Sequence, residues 1–264
     1  FKGVVYMTKT QKILAEKLLA DGCYIHERNV KELKNKGKKA ELLYTESDMY
    51  LFLNKVKIVE VNEKIKINDN VEFMFRNNSH VLGATQIELW IRKPSNQVKH
   101  ILYTGDLGSN YNFEFQPFLK QNEIIHSADI AIFESTYASA TRSFTKKQCI
   151  EEREYLKQVF LNTIKNKSRC LIPVFSYSRG QLLMAMAYDW LKDCKDNFQI
   201  VIDSKLFQEI NACYREILEG EELEYWNEIM RFDRFKFVGE YKETLELSTK
   251  QDNIPRIIFS SSGF

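Results

Sequence analysis

Nowhere in these 264 residues does an apolar run approach the roughly 18 that a membrane-crossing helix needs, so a transmembrane span is not expected. The start, Phe1-Lys2-Gly3-Val4-Val5, lacks both the charged region and the cleavage site of a secretory signal. It also lacks an initiator Met, so residue 1 is not expected to be the native N-terminus. No Cys-x-x-Cys pair occurs. Cys23, Cys149, Cys170, Cys194 and Cys213 are an odd, scattered set, which argues against a cysteine zinc site and reads as reduced cytosolic thiols packed mostly as small hydrophobes. Four prolines and ten glycines leave little punctuation, so long elements are expected, and there is no low-complexity tract, linker or internal repeat. Excess charge of either sign is missing too: the formal net charge is +2, which leaves open a basic groove opposite an acidic face.

What is present suits a folded soluble chain of one large or two smaller domains: 44% hydrophobic and 28% charged residues. One local charge run stands out, Lys31, Lys34, Lys36, Lys38 and Lys39, readable as a solvated loop or as a phosphate-contacting patch. Thr8 and Gln11 form a capping-box pattern that opens a helix over residues 10–20, with Gly22 as its expected stop. Period-two patterning over 56–59, 65–67 and 71–75, extended by 86–91 and 100–104, predicts an antiparallel meander. A further apolar strand, 130–133, ends abruptly at Glu134. From residue 147 a helix is expected with Tyr155, Leu156, Val159, Phe160 and Ile164 on one face. After it, strands 170–175, 198–202, 235–238 and 256–260 alternate with helices 181–191, 205–218 and 221–232. That alternation favours a parallel sheet with helical crossovers. The change of pattern puts the candidate domain boundary near residue 170.

Three polar clusters fall where strands end, the places at which a sheet displays reactive groups. His80, in Asn77-Asn78-Ser79-His80-Val81-Leu82-Gly83, can offer a neutral imidazole to a metal or simply be a hydrogen-bonded loop residue. Asp106, in Thr104-Gly105-Asp106-Leu107-Gly108, sits between glycines that permit a sharp turn; its carboxylate can bridge two cations or merely make the turn. Glu134, in Glu134-Ser135-Thr136-Tyr137, can cap a helix or orient a metal-bound histidine. Two later strand-to-loop transitions are candidates for binding anions through free backbone N–H groups: 174–181, with Arg179 as a bidentate phosphate contact, and the loop at Ser261, Ser262 and Gly263.

In order and spacing these clusters resemble the β-CASP branch of the metallo-β-lactamase superfamily, which includes the endonuclease subunit of the cleavage and polyadenylation specificity factor and bacterial and archaeal RNases. His80 is similar to the family's third metal motif and Asp106 to its fourth. Glu134 is similar to the acidic residue of motif A. Residues 171–181, with Arg179 and Gln181, resemble a Pro-x-Phe-x-x-Gly-Arg-x-Gln segment, and 257–264 the Ala-Ser-x-Gly-Met strand and loop. Ser79, Ser178, Leu182 and Phe264 depart from the usual Gly, Gly, Glu and Met.

The resemblance implies an α/β fold: part of a metallo-β-lactamase αββα sandwich over 1–170, with part of an inserted β-CASP domain of mostly parallel sheet over 171–264. It implies a ribonuclease with two zinc ions. Asp106 would bridge them, His80 would ligate one, and Glu134 would orient a histidine that protonates the leaving oxygen. Arg179, Ser261, Ser262 and Gly263 would hold substrate phosphates. Single-stranded RNA is the expected partner, with DNA an alternative, a homodimer or an RNA-processing complex the expected setting, and the cytoplasm (or nucleus in a eukaryote) the expected place. The family's His-x-His-x-Asp-His run is absent and is expected upstream of Phe1, and the later histidine motifs downstream of Phe264, so the 264 residues alone are expected to be inactive. Two other readings carry over: a non-catalytic scaffold subunit of an RNA-processing complex, and a small-molecule hydrolase. Retention of His80, Asp106 and Glu134 argues against the first, and the α/β segment after 170 against the second.

Overall fold

The computed structural model describes residues 2–108, 115–139, 145–249 and 252–261. Strand β1 (Val5–Met7) leads into α1 (Lys9–Asn35), α2 (Glu46–Leu53) and β2 (Val56–Ile58). Strands β3 (Ile65–Asn68), β4 (Val71–Asn77), β5 (Thr85–Arg92), β6 (Val98–Tyr103) and β7 (Ile130–Ile132) follow. The chain then alternates: α3 (Lys146–Lys165), β8 (Arg169–Pro173), α4 (Arg179–Leu191), β9 (Gln199–Asp203), α5 (Lys205–Ile217), α6 (Gly220–Arg231), β10 (Phe235–Val238), α7 (Tyr241–Thr249) and β11 (Arg256–Ser260). The expected α/β class is what is found. Among the described residues no helix is long and apolar enough to cross a membrane.

The meander is present with one correction. β3, β4, β5 and β6 pair antiparallel in order, and β7 joins β6 in parallel. The segment at 56–58 is not part of it: β2 pairs in parallel with β1 in a separate two-stranded sheet. Two faces follow from the register. Phe73 opposite Leu89 and Phe75 opposite Ile87 build an apolar face with Tyr6 and Val59. On the other face lie Glu88 and Gln86, each 3% exposed. A buried carboxylate needs a charge partner, and Glu88 has one in Arg76, whose Nε donates to it; His100 Nε2 lies 2.8 Å away. His100 in turn stacks on Trp90, its cross-strand neighbour, at 5.0 Å.

The second sheet is wholly parallel, in the order β10-β9-β11-β8. Ile200, Ile202, Ile257 and Phe259 are all essentially inaccessible at its centre, as expected where helices cover both faces of a parallel sheet. α3 precedes the expected boundary at 170 yet packs on β8 and β11. Its Phe160 is buried, whereas Tyr155, expected on the same face, is 74% exposed. The main core also draws in Leu14, Leu82, Phe118 and Leu119 from the first half of the chain, and Phe118 meets the rings of Tyr214 and Trp226 edge-on at 5.5 and 5.3 Å.

Candidate metal centre

The first helix sets the position of the His80 loop. Its expected capping box forms: Thr8 N–H donates to Gln11 Oε1 at 2.9 Å and Gln11 N–H to Thr8 Oγ1 at 3.2 Å. The spare Gln11 amide hydrogens then reach across 72 residues to Gly83 O and Thr85 Oγ1, both at 3.0 Å. Tyr177, from the turn before α4, donates its hydroxyl to Leu82 O. Two consecutive carbonyls of the His80 loop are therefore gripped, one from each half of the fold. Gly83 makes the loop's exit with φ +82°, a conformation L side chains avoid.

The Asp106 loop is tied to the His80 loop by one residue that sequence reasoning did not single out. Asn78 is 3% exposed. Its Nδ2 donates to Thr104 O at 3.0 Å and Asp106 O at 2.7 Å, and its Oδ1 accepts from His80 N–H at 2.9 Å and Gly108 N–H at 3.3 Å. Every hydrogen-bonding direction of that amide ends on one loop or the other. The two backbones meet so closely at Gly108 that an added Cβ would lie 2.1 Å from Ser79 C and O and 2.4 Å from His80 N. These are backbone atoms and cannot swing aside. Gly108→Ala is therefore expected to lower stability by about 3 kcal/mol, the upper end of overpacking costs, and a calorimetric melt of wild type against variant checks it.

The result is convergence. His80 Nε2 and Asp106 Oδ2 lie 3.8 Å apart, with side chains 35% and 70% exposed. Two donors on one tetrahedral ion at ~2.1 Å each sit roughly 3.4 Å from one another, so this pair fits a shared cation with little movement. Glu134 stands on the next loop, its Oε1 accepting from Leu107 N–H at 2.8 Å. That bond, then one from Thr136 and the nearby His80, holds its carboxyl below the usual carboxylate range, so it stays charged beside the pair. Among the described residues no group of three His, Cys, Asp or Glu is placed to hold a metal, so the set is two donors.

The candidate phosphate residues lie elsewhere on the sheet edge. Arg179 is exposed at the first turn of α4, and Ser261 directly follows β11. β8 and β11 are adjacent, and Val174 N–H donates to Ser260 O at 2.9 Å, so Arg179 and Ser261 both follow neighbouring strand ends. Ser262 and Gly263 lie outside the described residues. Before Arg179 the chain makes a γ-turn: Ser178 has φ 67° and ψ −55°, and Arg179 N–H donates to Tyr177 O at 2.8 Å. Such turns are rare and strained for a residue with a side chain. Tyr177, the first residue of that turn, is the one that reaches the His80 loop.

No family model matches the sequence. The chain is 27% identical over 262 residues to an RNase J-like protein of Methanocaldococcus jannaschii, covering 99% of this chain and 57% of that one. It is 30% identical over 185 residues to Endoribonuclease YSH1 of Eremothecium gossypii, covering 70% and 22%. With Integrator complex subunit 11 of Danio rerio it shares 25% identity over 265 residues, covering 100% and 40%. The chain thus spans between about a fifth and somewhat over half the length of these relatives.

Proposed function

We propose that the natural polypeptide carrying this chain is a nuclease of the β-CASP branch of the metallo-β-lactamase family and hydrolyses RNA phosphodiester bonds at a metal site that includes His80 and Asp106, a reading supported by its similarity to an RNase J-like protein and to an endoribonuclease. The observation that carries the reading is the 3.8 Å approach of His80 Nε2 to Asp106 Oδ2 across two loops that Asn78 ties together.

A neutral imidazole and a carboxylate are a donor set that suits zinc, and the proposed complement is two zinc ions, with the remaining donors from outside these 264 residues. When bound, such ions supply an acidified water as nucleophile and neutralise charge at phosphorus. The chain's own residues do the rest. His80 and Asp106 hold their donor atoms at a fixed spacing. Glu134 pins Leu107 N–H and so fixes the backbone beside Asp106, and its charge can orient a partner imidazole for proton delivery to the leaving oxygen. Arg179 and the loop at Ser261, Ser262 and Gly263 are proposed to hold phosphates of a single-stranded RNA. Membership of an RNA-processing assembly is part of the same proposal.

The test uses RNA and DNA of one sequence, labelled at the 5′ or 3′ end and incubated with the natural polypeptide. Metal-dependent cleavage of the RNA is expected, stopped by EDTA and restored by added zinc. Cleavage that persists in EDTA, or none with any divalent metal, would overturn the reading.

A further inference from the structure

Between α3 and α4 lies a pocket that the metal centre does not use. Residues 149, 152, 153 and 156 recur at helical spacing on one face of α3, and Arg179, Leu182 and Met186 do so on α4. Phe115 closes the end. The pocket is an open groove of about 360 Å³, within the ~300–1,000 Å³ of small-ligand sites. Its lining is divided by chemistry. Leu156, Leu182 and Met186 give an apolar wall, while two guanidinium groups stand at the wall and rim.

Arg153 is the unusual residue. Its guanidinium lies 4.5 Å from the Phe115 ring centre and 5.7 Å from that of Trp190, between two aromatic surfaces. Among the described residues no carboxylate comes within 4 Å of either Arg153 or Arg179. The acid nearest in function, Asp189, accepts a hydrogen bond from Tyr225 Oη at 2.9 Å. Glu152 is the one acid lining the pocket. Burial makes the charge on Arg153 harder to keep, and the nearby Asp189 and Tyr225 offset only part of that.

We infer that this pocket binds one nucleotide of a single-stranded RNA, its base flat against the Phe115–Arg153 stack and its phosphate on Arg179. The chemistry selects that occupant. Stacked arginine and phenylalanine offer a face to any base, the apolar wall takes its edge, and the unpaired Arg179 at the open rim presents a planar fork to phosphate. Glu152 can accept from an exocyclic amine. An apolar peptide would leave both guanidinium groups without partners. The inference rests on the nuclease reading for its ligand class, but its test does not need cleavage.

The experiment is fluorescence anisotropy of a 5′-fluorescein single-stranded 12-mer RNA on the natural polypeptide bearing Asp106→Asn, which keeps the probe intact. Arg179→Ala, at an exposed position where folding is not at risk, is expected to weaken binding about tenfold and to lower the slope of log Kd against log salt by about one. Arg153→Lys keeps the charge but loses the flat face; it is expected to weaken binding about fivefold with the salt slope unchanged. In a background with intact Asp106, both variants should raise KM and leave kcat alone. Parent-like binding by both variants overturns the inference, as does binding of an acidic peptide in place of RNA. Weakened binding in a protein that proves not to cleave RNA upholds the pocket and removes only the nuclease reading. Normal binding by the variants of an active nuclease removes the pocket, and with it the phosphate contact proposed for Arg179, and leaves the metal-centred cleavage reading standing.

Discussion

Replacing Asp106 with alanine is expected to cut RNA cleavage by the natural polypeptide at least about a thousandfold while leaving its fold intact. A metal's stabilisation of developing charge amounts to several kcal/mol, and each ~1.4 kcal/mol is a factor of ten in rate. The carboxylate is the group best placed to hold such an ion: its side chain is 70% exposed and its Oδ2 faces His80 Nε2. The same exposure means that little packing is lost, so the stability should change by no more than about 0.5 kcal/mol, as for ordinary surface changes. His80→Ala should behave alike, and neither variant should be rescued by excess zinc. Single-turnover cleavage rates and melts on the two variants decide the matter. Activity within tenfold of wild type in both would place the chemistry at other residues.

The largest loss of stability is expected far from that centre, at Glu88. Glu88→Ala should cost about 3–5 kcal/mol, the range for stranding one partner of a buried ion pair, and lower the melting temperature by about 6 °C or more. The carboxylate lies in the middle of a central strand with 3% exposure, against the Arg76 guanidinium and 2.8 Å from His100 Nε2. Removing it leaves a cation facing a half-buried sheet surface with no nearby substitute except Glu123, whose Oε2 is 3.5 Å from Arg76 Nη1. The double variant Arg76→Met/Glu88→Leu should recover most of the loss, because well-packed apolar side chains can replace a buried ion pair at little cost. If Glu88→Ala melts within 1 °C of wild type, Arg76 and His100 have other solvation and the network is incidental.

Much of the fold was legible because local signals agreed with the tertiary outcome. Strands 235–238 and 256–260 match the expectation to the residue, since each is a short run rich in β-formers between helical or polar stretches. The failures are equally specific. Gly22 did not stop α1, which runs on to Asn35: the glycine faces the Tyr44 hydroxyl, 2.8 Å from where a Cβ would sit, so it marks a close approach and not a helix end. That continuation also puts Lys31 and Lys34 on helix and not in a loop. Strand 56–58 found its partner in Val5–Met7, a three-residue stretch with no alternation to read. α2 was missed although Thr45 and Asp48 make a full capping box there, a signal that was available. At the site, periodicity could not show that positions 80 and 106 meet; the family resemblance supplied the pairing. Asn78 left no trace in pattern at all, because a buried amide that joins two loops is a property of the folded surface and not of either segment.

The aromatic anchor at Phe118 limits how far the two sheets can part. Swinging one sheet away from the other would draw that ring out from between Tyr214, Tyr225 and Trp226. Uncovering one such side chain costs about 2–4 kcal/mol, so an ajar state is visited by at most a few molecules in a hundred. The spacing between the His80 loop and the turn that carries Tyr177 and Arg179 is therefore set before anything binds.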